Sequence, residues 1–422
     1  MVRLGFREAG QAGFTLSWSE HRSITGRDQV APFPLPIPID SLRTLAPLCS
    51  EMMLNPIPRR GCLLIAACAT LNLAPSVRAE SPPGPEIVWH DVSTWGVEGQ
   101  GWAPEDLKAR YDRLPAKAEK IVRPQVWGLS RNSAGLSFRF NTDATTLQVR
   151  HTVSGTSLAL PHMPATGVSG IDLYALDGGQ WKWVEVSRPK EVTTVHTVSG
   201  LDPGLRTWMA YLPLYNSTVK VDIGVPKGST FQPVAPRKEK PIVFYGTSIT
   251  HGASASRPGM PHPAILGRRL DKPVINLGFS GNGKMEPEVG ALLTEIDAAV
   301  YVIDCLPNMV ESEVAERAEA LVRQLREARP ETPILLVEDR TYANTWIMKS
   351  KSERHAGSRS AFIRAFDSLV SSGVKNLYYV EGEALLGDDT EGTTDGSHPN
   401  DLGFMRQADV LEPVLRKALG LE

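Results

Sequence analysis

The sequence carries few cysteines and almost no net charge. Its 422 residues include four cysteines, and 45 Lys and Arg nearly balance 47 Asp and Glu, which leaves a formal net charge of −2 at pH 7. Such a balance provides no basic field that would attract nucleic acid or an anionic membrane surface. A Walker-type phosphate loop, a basic strip with interleaved aromatics and a long charged tail are also missing from the sequence. Nucleic acid is therefore not expected as a partner.

The sequence also lacks an apolar run of the roughly 20 residues that a membrane-spanning helix needs, so no transmembrane span is expected. A shorter apolar stretch of 14 residues, 61–74, follows the basic pair Arg59-Arg60. It precedes Val77-Arg78-Ala79, whose small residues suit a cleavage site. This pattern predicts a signal peptide at 52–79 and an exported protein, either periplasmic or secreted.

The predicted signal peptide does not begin at residue 1. We therefore interpret residues 1–51 as a non-native upstream extension, with the true start at Met52 or Met53. An internal apolar helix is the alternative to a signal peptide. A second alternative is the loose lipobox Ile65-Ala66-Ala67-Cys68, which would leave a lipid-anchored protein at Cys68.

Three of the four cysteines, Cys49, Cys62 and Cys68, lie in or before the predicted signal peptide. Cleavage after Ala79 would leave Cys305 as the one thiol of the mature chain, so an internal disulfide is not expected. Cys305 follows an apolar run, which favours a buried residue at the end of a strand over a reactive nucleophile.

Residues 86–235, which follow a Pro-rich linker at 80–85, show the apolar alternation of half-buried strands. Strands are predicted at 136–140, 147–150, 170–176, 181–186, 206–212 and 218–223. Several short strands separated by turn residues predict an antiparallel β-sandwich. A lone helix is predicted at 103–114. Trp181 and Trp183 share one face of a strand, and we assign them to the sandwich core, with a sugar-stacking surface as the alternative.

Between residues 236 and 422 the pattern changes to apolar strands that alternate with amphipathic helices. Strands are predicted at 241–245, 273–277, 299–304, 333–337 and 376–380. Five such strands predict an α/β domain, in which a parallel, doubly wound sheet is covered by helices on both faces.

Chemically useful residues follow four of these five strands. Ser248 follows the first strand, Gly281 the second, Asn308 the third, and Asp395 and His398 the fifth. Ligands of open α/β sheets bind beyond the carboxyl ends of the strands, so these residues are expected to meet at one edge. A serine, an imidazole and a carboxylate together form a hydroxyl nucleophile with its own proton acceptor. The arrangement predicts a serine esterase.

Over residues 241–420 these blocks resemble the SGNH (GDSL-like) hydrolase family. Gly246-Thr247-Ser248-Ile249 stands where that family has Gly-Asp-Ser-Leu, and Leu306-Pro307-Asn308-Met309 stands where it has Gly-x-Asn-Asp. Both blocks keep the reacting residue and change its neighbours. Gly170-Ile171-Asp172-Leu173-Tyr174 resembles the GxDLY sequence found upstream of the hydrolase domain in one branch of the family.

The resemblance implies a flavodoxin-like sheet and ester hydrolysis. It assigns Ser248 as the nucleophile, with Asp395 and His398 completing a triad. It further implies an oxyanion hole formed by Ser248, Gly281 and Asn308. The nine histidines of the sequence show no spacing typical of metal ligands, so neither a metal nor a cofactor is expected.

Each of these residues also has a structural alternative. Ser248 could cap the helix after the first strand, and Asn308 could cap the helix that begins near Val310. Asp395-Gly396 could be ordinary turn chemistry. Taken singly these alternatives are reasonable, but they do not explain why all the residues follow strands of one sheet.

Six further residues are weaker candidates. Arg257 is a candidate for binding a polar substrate, with a solvated loop as the alternative. His251 and His262 are expected at the surface or at the rim of the substrate site. Glu338-Asp339-Arg340 follows the fourth strand and is interpreted as a local ion pair, with a place in the cleft as the alternative.

The predicted function is an exported serine esterase that acts on an acylated carbohydrate or small molecule and removes short acyl groups, acetyl in the first place. Two alternatives stay open. One is a secreted glycan-binding protein on an inactive hydrolase scaffold. The other is a lysophospholipase or thioesterase that uses the same triad.

Overall fold

The computed structural model describes the strand β1 (Phe6–Glu8) and residues 84–422. The signal peptide predicted at 52–79, Cys68 and most of the predicted upstream extension 1–51 lie outside the described residues, so these interpretations stay predictions. β1 itself falls within that predicted extension. Among the described residues, every helix is too short or too polar to cross a bilayer.

Two antiparallel sheets make up the domain between residues 84 and 235. Its strands are β2 (Ile87–Asp91), β3 (Ser137–Thr142), β4 (Thr146–Val153), β5 (Asp172–Asp177), β6 (Gln180–Val186), β7 (Thr193–Ser199), β8 (Arg206–Tyr211), β9 (Thr218–Pro226) and β10 (Phe231–Val234). One sheet has the order β10-β3-β8-β5-β6 and the other the order β2-β9-β4-β7. The predicted antiparallel β-sandwich is confirmed.

Alternating side chains of the two sheets form the core of the sandwich. In β4 the buried residues are every second one, from Leu147 to Val153, as expected for a strand with one face in the core. Phe138, Phe140 and Trp208 are fully buried and contribute the largest rings. The short helices α1 (Pro124–Ser130) and α2 (Ala165–Val168) lie in connections of this domain.

The prediction of a helix at 103–114 is wrong. A single 3-10 turn, Pro104–Asp106, forms there, and the backbone becomes extended at Leu107. Tyr111 packs into the core of the sandwich, whereas Leu114 packs into the core of the following domain. Residues three apart on a helix face the same side, so a helix could not bury these two side chains in different cores.

The second domain is built on a parallel sheet. Its strands are β11 (Ile242–Gly246), β12 (Val274–Gly278), β13 (Val300–Asp304), β14 (Ile334–Val337) and β15 (Leu377–Val380). They run in the order β12-β11-β13-β14-β15, which is the flavodoxin-like order, and β1 adds to β15 as an antiparallel sixth strand. The predicted five-stranded parallel sheet is confirmed, and each predicted strand lies within one residue of its observed bounds.

Helices cover both faces of this sheet. They are α3 (Ser248–His251), α4 (His262–Leu270), α5 (Pro287–Thr294), α6 (Glu311–Ala328), α7 (Lys349–Ser371) and α8 (Asp401–Ala418). Side chains of β11 alternate between the two cores: Val243 and Tyr245 pack with α5, α6 and α7, whereas Ile242 and Phe244 pack with α4 and α8. All five residues of β11 are buried, as expected for a central strand covered on both sides.

Candidate active site

Ser248 lies at the sharp turn between β11 and α3. It is the first residue of α3, and the N-cap is Thr247, whose hydroxyl accepts a hydrogen bond from the N–H of Ile249 at 3.2 Å. The alternative interpretation of Ser248 as the helix cap is therefore wrong. A Cβ on Gly246 would clash with the Thr250 hydroxyl, so the turn requires glycine directly before the Thr-Ser pair.

Two hydrogen bonds connect Ser248, His398 and Asp395. Ser248 Oγ lies 2.8 Å from His398 Nε2, and His398 Nδ1 lies 2.7 Å from Asp395 Oδ2. The second oxygen of Asp395 accepts the backbone N–H groups of Ser397, at 3.0 Å, and of His398, at 2.8 Å. One carboxylate thus orients the imidazole and also fixes the loop that carries it.

The electrostatics of Asp395 suit this role. Partial burial alone would raise the pKa of Asp395, but hydrogen bonds from the backbone and ring of His398 and from the N–H of Ser397 outweigh it and lower the pKa to about 2. The carboxylate is therefore ionised at neutral pH and accepts the proton on Nδ1. That tautomer leaves a lone pair on Nε2, which faces the Ser248 hydroxyl.

Free backbone N–H groups border the same site. Within residues 84–422, the N–H groups of Ser248 and Gly281 have no intramolecular acceptor. Gly281 has a positive φ of 68° and is exposed at the tip of the loop after β12. Two unpaired donors of this kind can stabilise an oxyanion that develops on a carbonyl held at Ser248.

Asn308 reaches the same loop from the end of β13. In one orientation of its amide, Nδ2 approaches the carbonyl oxygen of Gly283 at 3.3 Å but also faces two N–H groups. We prefer the opposite orientation, in which Asn308 Oδ1 accepts the N–H groups of Asn282 at 3.1 Å and Gly283 at 3.3 Å. The amide nitrogen is then available to a ligand. Helix α6 begins at Glu311 with Val310 as its N-cap, so the alternative of Asn308 as helix cap is wrong.

The loop that carries Gly281 is held by Arg123, which lies between β2 and β3, directly before α1. Arg123 donates to both the side-chain and main-chain oxygens of Asn282, at 2.8 and 3.0 Å, and contacts the carboxylate of Glu286. Glu286 also accepts the hydroxyl of Tyr245 at 2.8 Å. Sequence reasoning missed this clamp because Arg123 lies far from Glu286 in the chain and carries no motif.

A buried network beneath Ser248 was also missed. Asp304, the last residue of β13, accepts two hydrogen bonds of 2.7 Å from Arg340 and one of 3.0 Å from the hydroxyl of Thr250. The expected local ion pair within 338–340 is wrong, since Arg340 pairs with a residue of another strand. A usable signal was present in the sequence, because Asp304 and Arg340 end or follow neighbouring strands at the same edge.

Arg257 lies in a contact between the α/β domain and the sandwich domain. Its guanidinium donates to Asp172 Oδ2 at 2.9 Å, contacts the hydroxyl of Tyr174, and lies over the ring of Trp183. These partners belong to the GxDLY segment of the sandwich and to its neighbouring strand. Arg257 therefore joins the two domains, and these contacts favour a structural role over the predicted role in substrate binding.

The assignment of Trp181 and Trp183, the two tryptophans of β6, to the sandwich core is wrong. Trp183 donates its indole N–H to Asp172 at 2.9 Å and is 47% exposed, while Trp181 packs with Tyr174 beside α4. Tyr174 and Trp183 are cross-strand partners, so their side chains share the outer face of the sheet. Both tryptophans thus face the α/β domain and not the interior of the sandwich.

His251, His262 and Cys305 are all buried. His251 shares a 2.7 Å hydrogen bond with the carbonyl of Leu214 and stacks on Tyr215, and His262 lies against aromatic rings of the core. Burial lowers the pKa of both imidazoles well below its usual value. The expectation of two surface or rim histidines is therefore wrong. Burial of Cys305 is confirmed, and it raises the pKa of the thiol well above its usual range.

Family comparisons agree with these two domains. Residues 239–416 match the GDSL-like lipase/acylhydrolase family, and residues 87–231 match the GxDLY family, described as the N-terminus of SGNH-hydrolase-type esterases. No curated protein matches the chain.

Solved structures match this chain over nearly their whole length. A protein of Bacteroides ovatus described as a GDSL-like lipase is 33% identical, with a TM-score of 0.76, and the match covers 79% of this chain and 98% of that one. The salicylyl-acyltransferase SsfX3 of a tetracycline biosynthetic pathway is 20% identical, with a TM-score of 0.64 and coverages of 80% and 98%. A family two carbohydrate esterase of Cellvibrio japonicus is 14% identical, with a TM-score of 0.52 and coverages of 80% and 99%.

The last two similarities concern the fold alone. The match to the Bacteroides ovatus protein covers nearly all of that chain at 33% identity, which establishes that the two proteins belong to one family. It agrees with the family match over the α/β domain. The protein belongs to the GDSL-like lipase/acylhydrolase family of SGNH hydrolases, in the branch with an N-terminal GxDLY domain.

Proposed function

We propose that this protein is an exported serine esterase that hydrolyses short-chain acyl esters, acetyl in the first place, on carbohydrate. The observation that carries the reaction is the continuous pair of hydrogen bonds from Ser248 through His398 to Asp395, 2.8 and 2.7 Å long. Membership of the acylhydrolase family supports the same class of chemistry.

The proposed reaction has two halves. Ser248 Oγ attacks the ester carbonyl carbon while His398 Nε2 takes its proton, and His398 then gives that proton to the departing alcohol. Water, activated by the same imidazole, hydrolyses the acyl group from Ser248 Oγ. In both halves the oxyanion would accept hydrogen bonds from the N–H groups of Ser248 and Gly281 and from the Asn308 amide. Loss of one such donor typically raises the barrier by about 3–4 kcal/mol.

The shape of the site supports a short acyl group on a bulky alcohol. Ser248 is 7% exposed, whereas the side chains of His398 and Asp395 are 30% and 54% exposed. The reacting hydroxyl is thus recessed, and the side from which the imidazole protonates the leaving group is open.

The export part of the proposal rests on the basic pair and apolar stretch of residues 52–79. N-terminal sequencing of the protein recovered outside the cytoplasm tests it. Cleavage after Ala79 is the expected result, and recovery of the whole chain inside the cytoplasm would contradict it.

Ester hydrolysis is tested with 4-nitrophenyl acetate and 4-nitrophenyl octanoate, using the full chain, Ser248→Ala, and Ser157→Ala as an exposed serine control. Turnover of the acetate that disappears only in Ser248→Ala supports the proposed nucleophile. Faster turnover of the octanoate would favour a lysophospholipase or thioesterase. No turnover by the folded wild-type protein would favour a glycan-binding protein. Release of acetate from chemically acetylated xylan tests the carbohydrate part.

A further inference from the structure

A turn of the β-sandwich domain ends beside the proposed catalytic histidine. Leu160 and Met163 exchange two backbone hydrogen bonds of 3.0 Å, which close a tight turn with Pro161 and His162 at its tip. The ring of His162 lies 6.4 Å from the ring of His398, measured between centroids. His162 is exposed, and neither of its ring nitrogens has a partner among residues 84–422. An imidazole from the other domain therefore faces the site with both nitrogens free.

The base of this turn is anchored in the core that supports the nucleophile. Leu160 and Met163 pack into the same hydrophobic cluster as Ile249, the residue directly after Ser248. Met163 is buried, whereas the two tip residues are exposed. The hydrophobic contacts therefore hold the turn against α3 and leave its tip open to a ligand.

Two further contacts continue the anchor beyond the turn. The hydroxyl of Thr166 donates to the carbonyl of Ser256 at 2.7 Å. A Cβ on Gly167 would clash with the carbonyl of Ala255, so α2 lies directly on the loop that follows α3. At the start of the connection, Asn216 exchanges hydrogen bonds of 2.9 and 3.0 Å with Gly155. His162 is thus held at a defined position relative to Ser248.

The proposed reaction indicates which part of the substrate lies near His162. His398 Nε2 must deliver its proton to the oxygen of the departing alcohol, so that oxygen comes within hydrogen-bond reach of His398. The proposed oxyanion donors come from α3 and from the loops after β12 and β13, whereas the turn that carries His162 belongs to the sandwich domain. A side chain whose ring lies 6.4 Å from that of His398 can reach an alcohol held at His398 Nε2.

We propose that His162 and the turn that carries it form a binding subsite for the alcohol half of the ester, and that the alcohol is hydroxylated. The inference rests on the proposed function. A neutral imidazole offers one N–H donor and one acceptor nitrogen, which match the two capacities of a substrate hydroxyl. The β-sandwich domain thereby contributes a wall of the active site as well as a surface for packing.

The subsite has a kinetic signature, because the alcohol leaves before the acyl-enzyme is hydrolysed. Loss of His162 is expected to slow the formation of the acyl-enzyme and not its breakdown. It is also expected to matter for an alcohol that carries hydroxyls and not for an alcohol of the same shape that lacks them.

The experiment compares two acetates that share a primary ester on a six-membered ring: methyl 6-O-acetyl-α-D-glucopyranoside and cyclohexylmethyl acetate. The proteins are full-length wild type, His162→Ala, His162→Gln, and Ser157→Ala as an exposed control in the same connection. His162→Ala is expected to lower the ratio of the two kcat/KM values about tenfold, the effect of one substrate hydrogen bond. His162→Gln, which keeps a donor and an acceptor, is expected to recover most of the ratio. Breakdown of the acetyl-enzyme formed from 4-nitrophenyl acetate should be unchanged in all four proteins.

An equal loss on both acetates would overturn the subsite, since it would mean that His162 acts through His398 or through the fold. No loss on either acetate, or a wild-type enzyme that does not prefer the hydroxylated acetate, would also overturn it. Failure of the proposed function itself looks different: the wild-type protein would then cleave neither of these acetates nor 4-nitrophenyl acetate.

Discussion

Asp304 and Arg340 form a two-bond ion pair that is excluded from solvent beneath the proposed nucleophile. Arg340 Nη1 donates to Asp304 Oδ1 and Arg340 Nη2 donates to Asp304 Oδ2, both at 2.7 Å. The side chains of Arg340 and Asp304 are 0% and 1% exposed, respectively. Asp304 also accepts the hydroxyl of Thr250, two residues after Ser248, and Arg340 donates to Gln407 of α8 at 3.1 Å. The pair therefore connects the turn of the nucleophile to β13 and to α8.

Arg340→Met is expected to destabilise the protein strongly, because it leaves the Asp304 carboxylate buried without its cation. Breaking a buried pair in this way typically lowers the free energy of unfolding by about 3–5 kcal/mol. The exposed pair of Arg364 and Glu311, 2.9 Å apart, provides the matched control, and Arg364→Met is expected to cost less than about 1 kcal/mol. Urea unfolding of the two variants measures the difference. Equal decreases in the free energy of unfolding would show that the buried pair contributes no more to stability than the exposed pair.

Arg257 is expected to matter for stability and not for substrate affinity. Asp172 is fully buried and accepts hydrogen bonds from Arg257, Trp183 and the N–H of Gly259, so Arg257→Met leaves that carboxylate without its cation. We expect a loss of about 3 kcal/mol in the free energy of unfolding, with KM unchanged under conditions where the variant is folded. A higher KM with unchanged stability would instead support the prediction that Arg257 binds substrate.

Two glycines of the loop after β12 are expected to respond differently to alanine. A Cβ on Gly283 would collide with the carbonyl oxygen of Gly246, whereas a Cβ on Gly281 meets open space. Gly283→Ala must therefore push the loop away from Ser248, and a displaced oxyanion donor is expected to lower kcat/KM by about 100-fold or more. Gly281→Ala keeps its N–H and is expected to cost about 1 kcal/mol of stability, because its φ is positive. Steady-state kinetics and urea unfolding of both variants test this contrast, and equal kinetic losses would contradict it.

The parallel sheet was the most predictable part of the fold. Its strands are buried on both faces, so each one is a continuous apolar run that can be recognised without alternation. In the sandwich, the sequence analysis missed β2, β7 and β10. All three are edge strands. An edge strand needs less apolar sequence: β7 is rich in threonine, and β10 contains Pro233, which an edge strand tolerates.

The candidate site was predictable where its residues follow strands, because topology alone brings strand ends together. Ser248, Asp395 and His398 were predicted in this way, and the structure brings their side chains together. The supporting residues were not found, because their partners are distant in sequence and their types are common. Arg340 lies 36 residues from Asp304, and Arg123 lies 163 residues from Glu286. Burial of His251 and His262 was equally invisible, since neither lies in an apolar run.

Asp395 is expected to remain ionised throughout the pH range in which the enzyme is active. Its pKa in the folded protein is about 2, below the ordinary value of 3.8, because hydrogen bonds from His398 and Ser397 outweigh the effect of partial burial. A lowered folded-state pKa means that the unfolded chain binds this proton more readily. The stabilising contribution is thus fully present above pH 3.8 and is lost as the pH falls toward about 2. Asp395→Asn removes the ionisable group, so the difference in unfolding free energy between wild type and variant should shrink over that interval.

At neutral pH, Asp395→Asn is expected to lower kcat by roughly 10²- to 10⁴-fold, because Nδ1 loses its charged acceptor. The pH–rate profile of the variant's residual activity should show the same acid limb as that of the wild type, because titration of Asp395 is not expected to cause that limb. An acid limb that disappears with the carboxylate would contradict the lowered pKa.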